Sequence, residues 1–534
     1  MRTYLIILIT FFLSVQISTF AQSLPIGLDG LFDDWTMASD TFNDTQGDGA
    51  AIDLLSFSVS NDSAYLYIKF TVANEMQLNS SNDLFLEIDT DNDASTGYSV
   101  NGIGAELGWK LGGRYGYFNY GTSSLYIHHD DIEFYAIPTV TSNQFEMAVS
   151  RNAYPDNLNP LFTGDTIKIC FVDQTTNGDL MPNVGQTYTY IFDDTPVPAY
   201  TPIDLAKTDS WHLRLLSYNT LFNGLIDTQR QPAFERVITA VAPDIITFNE
   251  CWDTQWYEAK NLLNSWLPLS GGASWSCWKI DGANITCSRY PILQNWKILP
   301  DRRLTASLID LPVEYQHDIV VINAHFKCCD GDSIRQREAD AFINFVRDIK
   351  TPGGLIDVPA GTPFVLSGDL NLVGYSQQLT TLITGDIVDT AQFGNPISPD
   401  WDNSDLADII AMQTDRRMAF TWQDNLSSYW PGRLDFAIAS EGDFVSEKAY
   451  TMNTAVMTPA RLTQYGLQQN DTETASDHLP KLTDFSMPII LDKPDIPEKT
   501  GQIRVYPNPS EENINIEILN YDTNSKLALN DISG

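Results

Sequence analysis

A chain of 534 residues is longer than one ordinary domain, so two or three are expected. Its hydrophobic content of 43%, with 12 Trp, 23 Tyr and 26 Phe, supports packed cores and excludes a disordered chain. A formal net charge of −38 argues against nonspecific binding to polyanions, because counterion release needs clustered Lys and Arg; only a local basic surface would admit nucleic acid.

In chain order, Arg2, an apolar run over 4–13 and the small residues Thr19 and Ala21 read as a secretory signal over 1–21. The run is too short for a membrane anchor, and no later segment is apolar enough to span a bilayer. Export permits disulfides among Cys170, Cys251, Cys277, Cys287, Cys328 and Cys329, with the pairing left open. Cys277 and Cys287 flank Asp281-Gly282, a hairpin signal that sets them on adjacent strands. Adjacent Cys328 and Cys329 lack the C-x-x-C spacing of a zinc site.

Residues 25–195 predict an all-β sandwich, with β-rich runs at 64–72, 83–88 and 144–149 separated by Gly, Asn and Asp clusters. The opening Leu28-Asp29-Gly30-Leu31-Phe32-Asp33-Asp34-Trp35 is similar to carbohydrate-binding modules of the family-9 type, which implies a glycan partner. Asp89, Asp91 and Asp93 alternate ahead of Gly97, a spacing that either presents carboxylates to Ca²⁺ or makes a solvated acidic turn. It is not an EF-hand loop, because Ala94 and Val100 stand where Gly and Glu are required. Trp109, Tyr115, Tyr117 and Tyr120 either stack on sugar rings or fill the core.

Prolines in 194–202 mark a linker over 196–210. Over 211–488 strands alternate with helices, the signature of an α/β domain: a strand at 213–217, helical spacing of Phe234, Val237, Ile238 and Val241, and strands at 245–248, 319–322 and 364–366 around a helix at 335–349. A second linker covers 489–500. Beyond it Tyr506-Pro507-Asn508-Pro509 resembles the start of the C-terminal sorting domain of the Bacteroidetes type IX route, truncated at Gly534. That resemblance implies a bacterial protein, secreted or attached to the cell surface, with secretion machinery as a partner.

Six polar motifs run in order through the α/β region: Ser-Tyr-Asn at 217–219, Phe-Asn-Glu at 248–250, Asn-Ala-His at 323–325, Ser-Gly-Asp-Leu-Asn at 367–371, Arg-Leu-Asp-Phe at 433–436 and Ser-Asp-His at 476–478. Several close an apolar run, so they are expected to converge at one sheet edge, where oxygen ligands hold a divalent cation and a His handles protons. The set resembles the endonuclease/exonuclease/phosphatase superfamily, over about half of the chain. The resemblance implies a four-layer α/β sandwich and hydrolysis of a phosphate ester with Mg²⁺, Mn²⁺ or Ca²⁺.

By the same resemblance Glu250 is the principal metal ligand, with Asn219 beside it and Asp477 on the metal side. His478 takes a proton from water while Asp435 accepts its other N–H. Asp369 and Asn371, alternating along an extended segment, hold the water and a phosphoryl oxygen, and His325 donates to a nonbridging oxygen. Arg289, in Ser288-Arg289-Tyr290, either touches phosphate or makes a structural ion pair. Trp422, Tyr429 and Trp430 either contact the leaving group or pack beneath their loop; His128, His129, His212 and His317 are expected at the surface.

The expected function is a secreted phosphodiesterase, with an extracellular nuclease on DNA or RNA as the alternative and an inert cell-surface glycan-binding protein as a reading of another class. Because every candidate catalytic residue lies past the first linker, residues 25–195 are expected to fold alone and to be dispensable for hydrolysis.

Overall fold

The computed structural model describes residues 25–37, 41–280 and 282–489, with the strands Gln502–Tyr506 and Asn515–Leu519. The expected signal over 1–21, the second linker beyond 489 and most of 501–534 lie outside the described residues. The described residues of 313–316 and 488–534 belong to one compact unit, in which those two strands pair antiparallel. The rest of the chain through Met487 makes the other, and all that follows concerns it.

Its first part is two antiparallel sheets. One orders Thr41–Asn43, Leu54–Asn61, Tyr65–Met76, Ser142–Ser150 and Tyr135–Ile137; the other runs from Leu180–Met181 through Thr166–Asp173, Leu84–Asp89, Leu107–Lys110 and Tyr115–Tyr120 to Ser123–Ile127. Alternate residues point to opposite faces, so Phe57 and Phe70 of the first sheet meet Phe171 of the second, the Phe70 and Phe171 rings 4.9 Å apart. Trp109 is 0% exposed and stacked on Phe134, so it belongs to this core and cannot meet a sugar. Tyr117, Tyr120 and Tyr126 are exposed.

In the acidic loop the clustered trio differs from the one expected. Asp93 is taken by its own turn, accepting from Ser95 N at 2.9 Å and Ser95 Oγ at 2.7 Å. Its place is filled by Glu106, because pairing of Ile88 with Leu107 sets the residue before Leu107 beside Asp89. Ligand atoms of Asp89, Asp91 and Glu106 lie within 4.8 Å of one another.

The second part has two mixed sheets. The seven-stranded one orders Ser276–Trp278, Ile285–Ser288, Ile245–Asn249, Leu213–Asn219, Lys481–Ser486, Val445–Thr451 and Met412–Gln413. The six-stranded one orders Ile292–Lys297, Arg303–Ile309, Ile319–His325, Phe364–Asp369, Asp435–Ala439 and Ala407–Asp408. In Ile245–Asn249, Ile246 and Phe248 pack with Phe234 and Val237 of the helix Gln231–Val241. In the other sheet Ile322 and Leu366 pack with Phe342 and Val346 of the helix Asp332–Ile349. The alternate residues, Thr247 and Asn249 against Ser367 and Asn323, bond one sheet to the other: Thr247 Oγ1 lies 3.0 Å from Ser367 Oγ, and Asn249 Nδ2 donates to Asn323 Oδ1 at 2.9 Å. Cys277 and Cys287 pair across the expected hairpin and form a disulfide.

The segment 196–210 is anchored at Ile203 and Leu205. Leu205 is buried, its carbonyl accepts from Arg214 Nη1 at 2.6 Å, and Ile203 N donates to Thr414 O at 2.8 Å. Arg214 itself forms a buried two-pronged pair with Asp484, at 2.6 and 2.7 Å. More consequential is the joint core between the two parts, in which Leu28, Trp35, Tyr67, Tyr135 and Ile137 pack with Met418, Phe420 and Leu479. Tyr135 stacks on Phe420 at 5.1 Å, and Trp430 enters the sandwich core against Phe134 and Trp109. His129, expected at the surface, is buried in the same seam with Nε2 3.2 Å from Ser427 O.

This seam speaks against the expectation that residues 25–195 are dispensable. A chain beginning at Asp204 uncovers Met418, Phe420, Trp430 and Leu479, each worth about 1.5–3 kcal/mol of burial. It is expected to lose cooperative thermal unfolding and hydrolysis together. A cooperative melt with wild-type turnover from that chain would refute the joint core.

Candidate active site

Strand direction explains why the motifs meet. Leu213–Asn219 runs parallel to Ile245–Asn249, and Ile319–His325 parallel to Phe364–Asp369, so Asn219, Glu250, His325 and Asp369 all lie at carboxyl ends. Lys481–Ser486 and Asp435–Ala439 run antiparallel to these, so His478 and Asp435 lie at starts, hence at the same edge. Asp369 and Asp435 are direct cross-strand partners.

Asp369 is the hub. Its backbone N–H donates to Asn249 Oδ1 at 3.0 Å, crossing between the sheets. Its Oδ2 accepts from Asn219 Nδ2 and Asn371 Nδ2, each at 3.0 Å, and lies 3.6 Å from His325 Nε2 and 3.7 Å from His478 Nε2. Gly368 precedes it at φ +145°, where a Cβ would sit 1.9 Å from Ala324 O, so only glycine permits this approach. Asn371 does not continue an extended strand: it is left-handed at φ +47°, and its side chain turns back to meet Asp369.

Glu250 is left-handed too, at φ +57°, and its carbonyl accepts from Asn223 N at 2.9 Å in the facing loop, where Leu221, Phe222 and Asn223 are also left-handed. Such strain in non-glycine residues gathers at functional sites. The turn aims the Glu250 carboxylate into the cleft, where Oε1 accepts from Asn219 Nδ2 at 3.2 Å and Oε2 from Phe222 N at 3.0 Å. Glu250, His325 and Asp369 bring ligand atoms within 4.8 Å of one another.

Two expected ligands are placed otherwise. The Asn219 oxygen accepts from Leu221 N at 3.0 Å, which leaves its N–H₂ facing the two carboxylates as a brace. Asp477 lines the cleft outside the ligand cluster, with Oδ2 accepting from Trp422 Nε1 at 3.0 Å. Arg289 is at the opposite sheet edge, because Ile285–Ser288 runs antiparallel to Ile245–Asn249; its Nη1 pairs with Asp244 Oδ1 at 2.9 Å. It makes the structural ion pair, not a phosphate contact.

His478 Nδ1 lies 2.8 Å from Asp435 Oδ2, so Nδ1 carries the proton toward the carboxylate and Nε2 faces the cleft. Asp435 is held by its own N–H donating to Thr421 Oγ1 at 2.9 Å. Burial works against the charged ring, yet Asp435 and Asp369 outweigh it and raise His478 to about 10. Burial pushes Asp369 up to about 7, against the pull of His478. His325 is driven well below its ordinary value by burial, then by Arg303, His478 and Lys327, and stays neutral.

Sequence reasoning missed the cationic residues of the cleft. Arg303, Lys327 and Arg114 line it, and among the described residues none of the three is in an ion pair. Arg303 is the cross-strand partner of His325 and lies over Trp252 at 5.1 Å. A lone Arg opening a strand gives no local signal. Lys481, three residues past His478, is buried with its Nζ unbonded, and burial lowers it to about 7.

No family model matches the sequence, and no curated protein does. Solved structures similar in fold include TDP2 from C. elegans, at 15% identity over 52% of this chain and 75% of that one, with a TM-score of 0.33. ANGEL2, a 2′,3′-cyclic phosphatase, in complex with adenosine-2′,3′-vanadate is similar at 15% identity over 52% and 96%, TM-score 0.35. Sphingomyelinase C from Streptomyces griseocarneus is similar at 15% identity over 51% and 99%, TM-score 0.32. The functional reading rests on the side-chain geometry.

With His478 as base, turnover falls as pH drops through its pKa, which Asp435 and Asp369 hold at about 10 and which a cation neutralising Asp369 would lower. Asp435 raises that pKa, so Asp435→Asn is expected to move the acid limb of the kcat profile to lower pH while lowering kcat. His478→Ala with Asp435→Asn should cost little more than His478→Ala alone, since the two act as one unit. Additive losses, or an unmoved acid limb, would show that the pair is misassigned.

Proposed function

We propose that this chain is a secreted, metal-dependent phosphoric ester hydrolase that cleaves a phosphodiester, built on the four-layer α/β sandwich of the endonuclease/exonuclease/phosphatase superfamily over 211–488. One observation carries it: the His478–Asp435 pair faces the Asp369 carboxylate across 3.7 Å in a cleft of about 500 Å³ that also holds Glu250, Arg303 and Lys327.

The donor set tests the metal. Glu250 and Asp369 converge with no Lys or Arg paired to either among the described residues, and two carboxylates suit Mg²⁺ or Mn²⁺, hard cations that take oxygen ligands. Glu250 and Asp369 would hold the ion, and His325 beside them would donate to a phosphoryl oxygen. When bound, it supplies positive charge to a phosphoryl oxygen.

The remaining chemistry belongs to the chain. His478 Nε2 takes a proton from water as the water oxygen bonds to phosphorus and the ester P–O bond breaks. Asp435 keeps the ring in the tautomer with Nε2 free and stabilises the imidazolium. Asn219 and Asn371 hold Asp369 in place by amide N–H bonds. Arg303 and Lys327 place fixed positive charge at the cleft, which offsets the repulsion of a chain of net charge −38 for an anionic substrate.

A nuclease acting on single strands is favoured over one acting on duplexes by the exposed ring of Phe222 at the cleft, on which a base could stack. An inert glycan-binding protein has no use for both a proton-transfer pair and a convergent carboxylate set. Export, a glycan contact through the exposed tyrosines and Ca²⁺ at Asp89, Asp91 and Glu106 are further parts of the proposal; their support is the sequence pattern and the cluster geometry.

Bis-p-nitrophenyl phosphate is expected to be hydrolysed, with activity abolished by EDTA and restored by Mg²⁺ or Mn²⁺. Glu250→Gln preserves shape but deletes a ligand charge, and should lower kcat about a hundredfold. Near-wild-type turnover of that variant at saturating Mg²⁺ would sink the assignment.

A further inference from the structure

The β-sandwich does more than support the catalytic part: it supplies one wall of the cleft. Gln77, Asn79, Ser80 and Arg114 line the same cavity as Asp369 and His478. Arg114 is fixed there by several bonds. It sits at φ +57° closing a turn, its N–H donating to Leu111 O at 3.0 Å. Gly112 N donates to Asn82 Oδ1 at 3.0 Å, tying that turn to the 77–82 loop, and a Cβ on Gly112 would meet Asn82 O at 2.3 Å. The loop is in turn joined to the catalytic part, since Gln77 Nε2 donates to Val373 O.

The guanidinium lies 3.9 Å over the Tyr429 ring, with Nη1 donating to Asn79 O at 3.1 Å. Its Nε is buried without a hydrogen-bond partner, and no carboxylate neutralises it among the described residues. In a chain with 69 Asp and Glu against 31 Lys and Arg, a held, cleft-facing arginine left without a carboxylate has its counter-charge missing. A flat guanidinium with free donors fits phosphate oxygens. Arg303 and Lys327, the neighbours that lower His325, lie on the His325 side of the cleft; Arg114 comes from the β-sandwich, on the Tyr429 side.

We propose that Arg114, on its Tyr429 platform, is a specificity residue that binds a second phosphate of the substrate, beyond the one that is cleaved. The preferred substrate is then a phosphodiester carrying a further phosphate group, and selectivity is set by a residue outside the catalytic part. This rests on the phosphodiesterase reading only for the identity of the first phosphate.

The test measures equilibrium affinity of the Mg²⁺-loaded full chain for two ligand pairs that differ by one phosphate: a nucleoside 3′,5′-bisphosphate against the 5′-monophosphate, and inositol 1,4-bisphosphate against inositol 1-phosphate. Wild type should prefer the bisphosphate of one pair by about tenfold or more, as expected for a hydrogen-bonded charge. The pair that shows it tells whether the second phosphate is that of a nucleotide or a phosphorylated polyol. Arg114→Gln keeps the left-handed backbone position occupied by a similar stem and should erase the preference; Tyr429→Leu should reduce it. Unchanged melting temperatures in both variants separate recognition from a structural role. Equal affinity within both pairs for wild type, or a preference that survives Arg114→Gln, overturns the proposal. Failure of wild type to hydrolyse bis-p-nitrophenyl phosphate would instead strike the phosphodiesterase reading and leave this binding result standing.

Discussion

The constraint on which the site depends is the buried polar seam between the two sheets. Asn249, Asn284 and Asn323 interlock there, with Asn249 Nδ2 donating to both Asn284 Oδ1 and Asn323 Oδ1 while its own oxygen accepts the backbone N–H of Asp369. Apolar faces slide against one another at little cost, whereas buried amides must be satisfied and so admit one register. That register brings Glu250, which follows one sheet's strand, within ligand distance of Asp369, which ends a strand of the other. Seam and site are contiguous along the chain: Asn249 precedes Glu250, and Asn323 lies two residues before His325.

From this seam the proton-transfer pair is braced in a second direction. Thr421 Oγ1 accepts from the N–H groups of Leu434 and Asp435, and its carbonyl accepts from Leu479 N, so one residue ties both sides of the His478–Asp435 contact. Its neighbour Phe420 stacks on Tyr135 of the sandwich, and Leu479 lies in the same joint core. The sandwich therefore bears on the geometry of the His478–Asp435 pair through packing, and on the cleft through the wall that carries Arg114.

Electrostatics gives the cleft its character. The chain is strongly acidic, yet the cleft gathers Arg114, Arg303 and Lys327, which have no carboxylate partner among the described residues, beside Glu250 and Asp369, which no Lys or Arg pairs among those residues. Several buried charges outside the cleft are matched, as Arg214 is with Asp484 and Asp244 with Lys207 and Arg289. Unmatched charges of both signs in one cavity are what a bound anion and a bound cation would complete.

The sequence by itself determined the strand ends where chemistry gathers, because an apolar run closing on a polar residue is a local pattern. The expected strands at 213–217, 319–322 and 364–366 are observed as Leu213–Asn219, Ile319–His325 and Phe364–Asp369, each extended to its motif residue, and the helix at 335–349 as Asp332–Ile349. The hairpin signal at Asp281-Gly282 likewise set Cys277 and Cys287 on adjacent strands, while which cysteines bond was decided by the structure. Only the tertiary structure decided what depends on direction and register. Strand direction placed Arg289 at the far edge, pairing of Ile88 with Leu107 put Glu106 where Asp93 was expected, and a left-handed turn reversed Asn371. Arg114, Arg303 and the joint core of Phe420 with Tyr135 were invisible beforehand for the same reason: each depends on residues far apart in the chain that meet only when separate sheets dock.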